Sequence, residues 1–224
     1  MPQFSTQKKI LGLFILGVLA FLVLSALNSP DWIRVKYVLD GDTIILEDGR
    51  HIRYIGINAP ELMHDNRPAE PFGNKALALN RKLVEGKKIR LETDKSLKDH
   101  YGRSLAYVYL KDGAFVNREM IARGMAHCLY HSPNTSHFPD LLAAQQQAMQ
   151  AGQGVWADWR YKKLTLSGNI RTKRFHLPQC PSLAKIHTKN RVLFPSLWDA
   201  FFQGYSPCKR CLDTWWTAPS SPRS

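Results

Sequence analysis

The sequence predicts a mainly β chain with helices (α+β): a small barrel with helices packed on it, then a second α+β unit stapled by a metal. Three observations carry this. Short β-like segments separated by Asp-Gly and Glu-Asp-Gly turns open the globular part. Two further strands follow a stretch of helical spacing. Late in the chain, one histidine and three cysteines fall at the spacing of metal ligands. The 224 residues leave room for one medium domain and a small one. At 44% hydrophobic and 22% charged residues, the chain is globular and not disordered.

The first element is residues 1–28. Ile10 to Leu27 is an 18-residue run without a charge, preceded by Lys8 and Lys9. Such a run is at the short end of a bilayer span and also suits a secretory signal. Cleavage after Ala26 would put Leu24 where a small residue is preferred, which favours an uncleaved membrane anchor. The lysines would hold that end in the cytoplasm and leave the rest extracytoplasmic. A cleaved segment would leave the chain secreted.

Residues 29–158 read as one compact domain. Trp32 to Leu39, Thr43 to Leu46 and His51 to Ile57 form a meander, with Asp40-Gly41 and Glu47-Asp48-Gly49 as turns. Phe72, Ala76, Leu79 and Leu83 repeat at helical spacing and stop at Gly86. Lys88 to Glu92 and Ser104 to Leu110 add two strands, and five strands fit an OB-type β-barrel. Phe115 to Arg123 reads as a helix closed by Gly124. Pro139 to Gln150 reads as another, with Leu141, Leu142, Gln145 and Met149 near one face. The domain closes at Gly154-Val155-Trp156. Residues 159–167 read as a linker, 168–214 as the second unit, and 215–224 as a flexible Pro/Ser-rich tail. The first domain is expected to keep its site when the second is deleted.

The net charge of +13 is unevenly placed. From Arg160 onward there are 12 Lys/Arg against 2 Asp/Glu, so most of the excess lies in the last 65 residues. A solubilising face would look the same, but a footprint for a polyanion fits this clustering better.

Three phrases bear on chemistry: V-L-D-G-D-T-I-I-L (38–46), I-R-Y-I-G-I-N-A-P-E (52–61) and D-H-Y-G-R-S-L-A-Y (99–107). Taken singly, Asp40-Gly41 is a hairpin turn, Pro60-Glu61 a solvated loop, and Arg53 and Arg103 ordinary strand arginines. Taken together they supply what phosphodiester hydrolysis needs: guanidiniums to neutralise the phosphorane and a carboxylate to orient or deprotonate water. Asp42, the Asn58 side chain and the Ala59 carbonyl offer hard oxygens for Ca²⁺.

His176, Cys180, Cys208 and Cys211 form H-x₃-C … C-x₂-C, the number and types of a closed Zn²⁺ site. A disulfide from Cys180 to Cys208 or Cys211 is the alternative in an exported chain. Cys128 is left over as a small buried apolar residue.

In this order and spacing the three phrases resemble the staphylococcal nuclease (thermonuclease) family, over Trp32 to Trp156. The resemblance implies an OB-type barrel and Ca²⁺-dependent cleavage of DNA and RNA. It implies that Arg53 and Arg103 contact the scissile phosphate and that Glu61 is general base or water-positioning group. Tyr101 would touch the nucleotide, and Tyr130 and His131 occupy the region where the family stacks a base. The family usually carries Asp where this chain has Asn58, which should weaken metal binding.

Asn190 to Cys211, above all G-Y-S-P-C-K-R-C, resembles the N-terminal metal-binding domain of the Ada DNA-repair protein. There the first metal cysteine also accepts a methyl group from DNA phosphotriesters. His176 stands at that place here, so this chemistry is not available to it. A structural zinc and a basic nucleic-acid-binding module are implied, with Arg171, Lys173, Arg174, Lys209 and Arg210 addressing phosphates. The expectation is a monomeric nuclease without an organic cofactor. Its rival is a catalytically weak, membrane-anchored nucleic-acid-binding protein that uses the barrel as a platform.

Overall fold

The computed structural model describes residues 31–63, 68–157 and 163–211. The apolar run Ile10 to Leu27, the first four linker residues and the tail lie outside the described residues. Among the described residues, no helix is long and apolar enough to cross a membrane. Residues from Ile33 onward form one compact unit.

Strands β1 (Trp32–Val38), β2 (Thr43–Leu46), β3 (His51–Tyr54), β5 (Lys88–Glu92) and β6 (Ser104–Leu110) close a barrel in the order β1-β2-β3-β6-β5. β3 and β6 run parallel, while β1-β2, β2-β3 and β5-β6 are antiparallel. Alternation dictates the packing: Val35, Ile44, Leu46, Ile52, Ile89 and Val108 point inward and are fully buried. β1 meets β5 through Val35 N to Lys87 O at 2.9 Å.

The stretch expected as one strand, His51 to Ile57, breaks in two. Gly56 adopts φ 79°, open to a residue without Cβ, and the chain turns before β4 (Ile57–Asn58). That turn is filled from inside. Arg53 Nη1 donates to Tyr54 O at 2.7 Å and Ile57 O at 2.9 Å, and Asn117 Nδ2 to Ile55 O at 2.9 Å. β4 then pairs with β7 (His127–Cys128), Asn58 opposite His127.

Helix α1 (Gly73–Val84) buries Ala76, Asn80 and Val84, while Leu79 and Leu83 are half-buried. The polar Asn80 displaces the expected apolar face because it has inward work: Nδ2 donates to Asp40 O and Oδ1 accepts from Tyr54, each at 2.9 Å. α2 (Val116–Ala122) and α3 (Phe138–Gln150) complete the expected helices, α3 starting with Pro139 in its first turn.

Residues 163–167, read from sequence as the end of a linker, belong to β8 (Lys163–Asn169). β8 joins β9 (Arg174–His176), β10 (Arg191–Ser196) and β11 (Ser206–Pro207) in the order β10-β8-β9-β11. α4 (Leu197–Phe202) is capped by Ser196 Oγ, which accepts from Asp199 N at 3.1 Å. Leu166, Phe175, Phe194, Phe201 and Tyr205 share a core with Ala148, Met149 and Trp156 of the preceding domain. Apolar side chains on a strand need a cover, and the end of α3 supplies it.

Candidate active site and metal centre

Arg53 is the best-held side chain of the site. It projects from β3, where its register partners are Thr43 of β2 and Leu105 of β6. Besides the two carbonyls of the turn, its Nε pairs with Asp42 Oδ1 at 3.0 Å and its Nη2 donates to Asn58 Oδ1 at 3.2 Å. Among the described residues, four of the five N–H groups of the guanidinium are thereby engaged, and one on Nη2 is left for a ligand oxygen. The pair is buried, with Arg53 and Asp42 side chains 11% and 9% exposed. A charge so enclosed is tolerated because the two groups pair with each other and each has further hydrogen bonds.

The three oxygens expected for a cation lie together here. Asp42 Oδ2 accepts from Ala59 N at 2.7 Å, Asp42 Oδ1 from Thr43 Oγ1 at 3.2 Å, and Ala59 O from Asn58 Nδ2 at 3.3 Å. A carboxylate, an amide oxygen and a carbonyl are hard donors, so the set fits Ca²⁺ in chemistry. Asp40 joins them, a residue that the sequence offers only as part of a turn. Its Oδ1 accepts from Asp42 N at 2.8 Å. Burial first, then the Asp42 charge, pushes its carboxyl up to about 7. The signal was present in the doublet Asp40-Gly41-Asp42, which places two carboxylates on one tight turn.

Glu61 is exposed at the mouth of this cluster and contributes to the field on Asp40. Its backbone is clamped: Glu61 N donates to Glu70 Oε2 at 2.8 Å, and Glu70 N to Glu61 O at 2.9 Å. Gly73 presses on it from α1, where a Cβ would lie 2.6 Å from Glu61 O.

Arg103 lies two residues before Leu105, the register partner of Arg53. Its Nε bonds Asp99 Oδ2 at 2.8 Å, which aims the guanidinium while leaving the side chain 32% exposed. Burial opposes ionisation of Asp99, but the Arg103 hydrogen bonds outweigh it and hold the carboxyl below its usual range. Tyr101 is 74% exposed beside it, its ring 5.6 Å from the guanidinium carbon. Tyr130 packs edge-on against Phe138 and is half-buried, whereas His131 is exposed.

At the other end, His176, Cys180, Cys208 and Cys211 offer ligand atoms within 4.8 Å of one another. Among the described residues no other group of His, Cys, Asp or Glu side chains gathers this way. All four cysteines of the chain are free thiols. Burial, then the neighbouring sulfurs, pushes the Cys211 thiol up to about 12, as expected of crowded thiols; a divalent cation relieves that crowding. Three sulfurs and an imidazole fit Zn²⁺ and close its shell. Cys128 sits apart, fully buried in the barrel core.

Of the expected phosphate-binding cations, Arg171, Lys209 and Arg210 are exposed. Lys173 lies over the Tyr205 ring at 4.4 Å, and Arg174 is half-buried with Nη1 on Ser206 Oγ at 2.5 Å.

Comparison with known proteins agrees with both halves. The family described as staphylococcal nuclease homologue matches residues 51–158, and the metal binding domain of Ada matches residues 155–213. A thermonuclease of Staphylococcus hyicus is 37% identical over 128 residues, covering 56% of this chain and 75% of that protein. A thermonuclease of Staphylococcus intermedius is 38% identical over 125 residues, covering 54% and 74%. Endonuclease YncB of Bacillus subtilis (strain 168) is 34% identical over 134 residues, covering 58% and 63%. A closed five-stranded barrel and this degree of identity lead to one conclusion: the chain belongs to the staphylococcal nuclease family and is a phosphodiester-hydrolysing nuclease.

Proposed function

We propose that the chain is a Ca²⁺-dependent nuclease acting on DNA and RNA, with a zinc-stiffened basic module that helps to hold the nucleic acid. The observation that carries this is Arg53, fixed by Asp42, Asn58 and two carbonyls with one N–H left over beside the oxygen cluster. A pre-aimed guanidinium needs little reorganisation as charge grows on a phosphate oxygen. Arg103, held by Asp99, is the second such donor, on the more open side. Glu61, clamped by its backbone, is the carboxylate that orients or deprotonates the attacking water.

Asp42, Asn58 and the Ala59 carbonyl would hold the Ca²⁺, which supplies charge for the transition state and a place for the water. His176, Cys180, Cys208 and Cys211 would hold the Zn²⁺ in a structural role. Arg171, Lys209 and Arg210 are the cations turned to solvent for phosphates. From the sequence alone, the catalytic domain faces outside the cytoplasm, anchored or secreted.

Plasmid and RNA digestion by residues 29–224, with Ca²⁺ and with chelator, tests this reading. Glu61→Gln and Arg103→Ala should each cost on the order of 10²-fold in kcat. Rates like the wild type in either variant would remove that residue's role. Absence of digestion, with oligonucleotide binding retained, would favour the platform function that Asn58 leaves open.

A further inference from the structure

The C-terminal module does not stand apart from the catalytic face. Asn58, bonded to Arg53 Nη2, is the strand partner of His127. The His127 ring packs edge-on against Phe201, centroids 5.4 Å apart, and Phe201 against Phe175 at 5.2 Å. The Phe175 carbonyl accepts from Cys208 N at 2.9 Å, where the knuckle carrying Lys209 and Arg210 begins. Three side-chain contacts and two backbone pairings therefore lead from the arginine of the site to the knuckle.

The docking is also held by hydrogen bonds from α3. Gln145 of α3 accepts from Cys128 N through Oε1 and donates to Phe201 O through Nε2, both at 2.6 Å, and Gln146 Nε2 donates to Phe202 O at 2.8 Å. The knuckle itself is closed by Cys211 N to Cys208 O at 3.1 Å. Its two exposed cations thus sit on a turn that loses little freedom when a phosphate binds.

We propose that Lys209 and Arg210 form a phosphate subsite of the catalytic groove itself, gripping the same strand whose scissile phosphate meets Arg53 and Arg103. This rests on the nuclease roles proposed for those arginines. The module is then a wall of the active site, on its Asn58 side, and not an independent DNA-binding domain. It sets how many nucleotides the enzyme engages, within the ~4–16 typical of a single-strand groove on an OB fold.

The test is substrate length. Single-stranded oligonucleotides from a dinucleotide to about twelve nucleotides are cleaved by the full chain and by Lys209→Gln/Arg210→Gln, with zinc content checked for both. The expected result is a loss that grows with length: KM up by about tenfold on the longest substrate and much less on the dinucleotide, with kcat nearly constant. The slope of log KM against log salt should shrink by about 1.4 for two lost single-strand contacts. An equal loss at all lengths, or no loss on the longest, overturns the proposal. Should Lys209→Gln/Arg210→Gln lose its zinc, Lys209→Glu alone is used and must give the same length dependence. Anisotropy of labelled oligonucleotides in a Glu61→Gln background reads the same dependence without turnover. Binding that depends on length would therefore stand even if the nuclease roles failed, and the two failures are distinguishable.

Discussion

Asn58 is the residue where this chain departs from the family's usual Asp, and the structure shows what it touches: Arg53 through Oδ1 and the Ala59 carbonyl through Nδ2. Restoring a carboxylate adds a negative charge to the oxygen cluster. Asn58→Asp is expected to lower the Ca²⁺ concentration for half-maximal activity in a calcium titration; an unchanged requirement would remove Asn58 from the metal site. His127 gives a second prediction at this scale. Burial first, then Arg174, Arg53 and Lys209, lowers its pKa from 6.5 to about 3. The unfolded chain takes up this proton below 6.5, and the folded chain refuses it until about 3. Stability from this group is therefore full above 6.5 and is lost as pH falls toward 3. His127→Phe keeps a ring against Phe201, so its urea midpoint should fall less steeply than the wild type's between about pH 6.5 and 4.5. Arg53, Glu61 and Arg103 stand out in the sequence because each sits in a local phrase. Asn80 does not, since its inward work depends on Tyr54 and Asp40, 26 and 40 positions away, and Asp40 reads only as part of a turn.

Among the elements, α1 bears directly on the role proposed for Glu61. Its first residue, Gly73, abuts the Glu61 carbonyl so closely that an added Cβ would displace backbone. Gly73→Ala should shift Glu61 by a fraction of an ångström to one ångström and cost on the order of 10²-fold in kcat, with near-UV circular dichroism unchanged. Full activity would show that Glu61 tolerates the shift. The barrel strands were readable because alternation marks the inner face whatever covers it. The break after Tyr54 was not, because it is made by Arg53 and Asn117 bonding the turn from inside, and one glycine in a strand pattern is a weak signal.

At the scale of the whole molecule, the C-terminal module completes the core around Ala148, Met149 and Trp156. Residues 29–158 alone would expose these side chains and leave Gln145 Nε2 without the Phe201 carbonyl. Truncation should therefore lower the midpoint of thermal unfolding by several degrees relative to the full chain, not spare it as two independent domains would. Equal midpoints would show the interface to be incidental. The sequence by itself determined the barrel, the nuclease family and the set of one histidine and three cysteines that follows it. Strand alternation, the three phrases and the H-x₃-C … C-x₂-C spacing are local, and local patterns fix which face is apolar and which residues can bind a metal. Only the tertiary structure decided that the two units dock. The contacts that join them, Gln145 and Gln146 to Phe201 and Phe202, span 56 residues, and His127 to Phe201 reaches further still. A hydrophobic pattern announces that a face will be buried; which partner buries it is settled when the assembled surfaces fit.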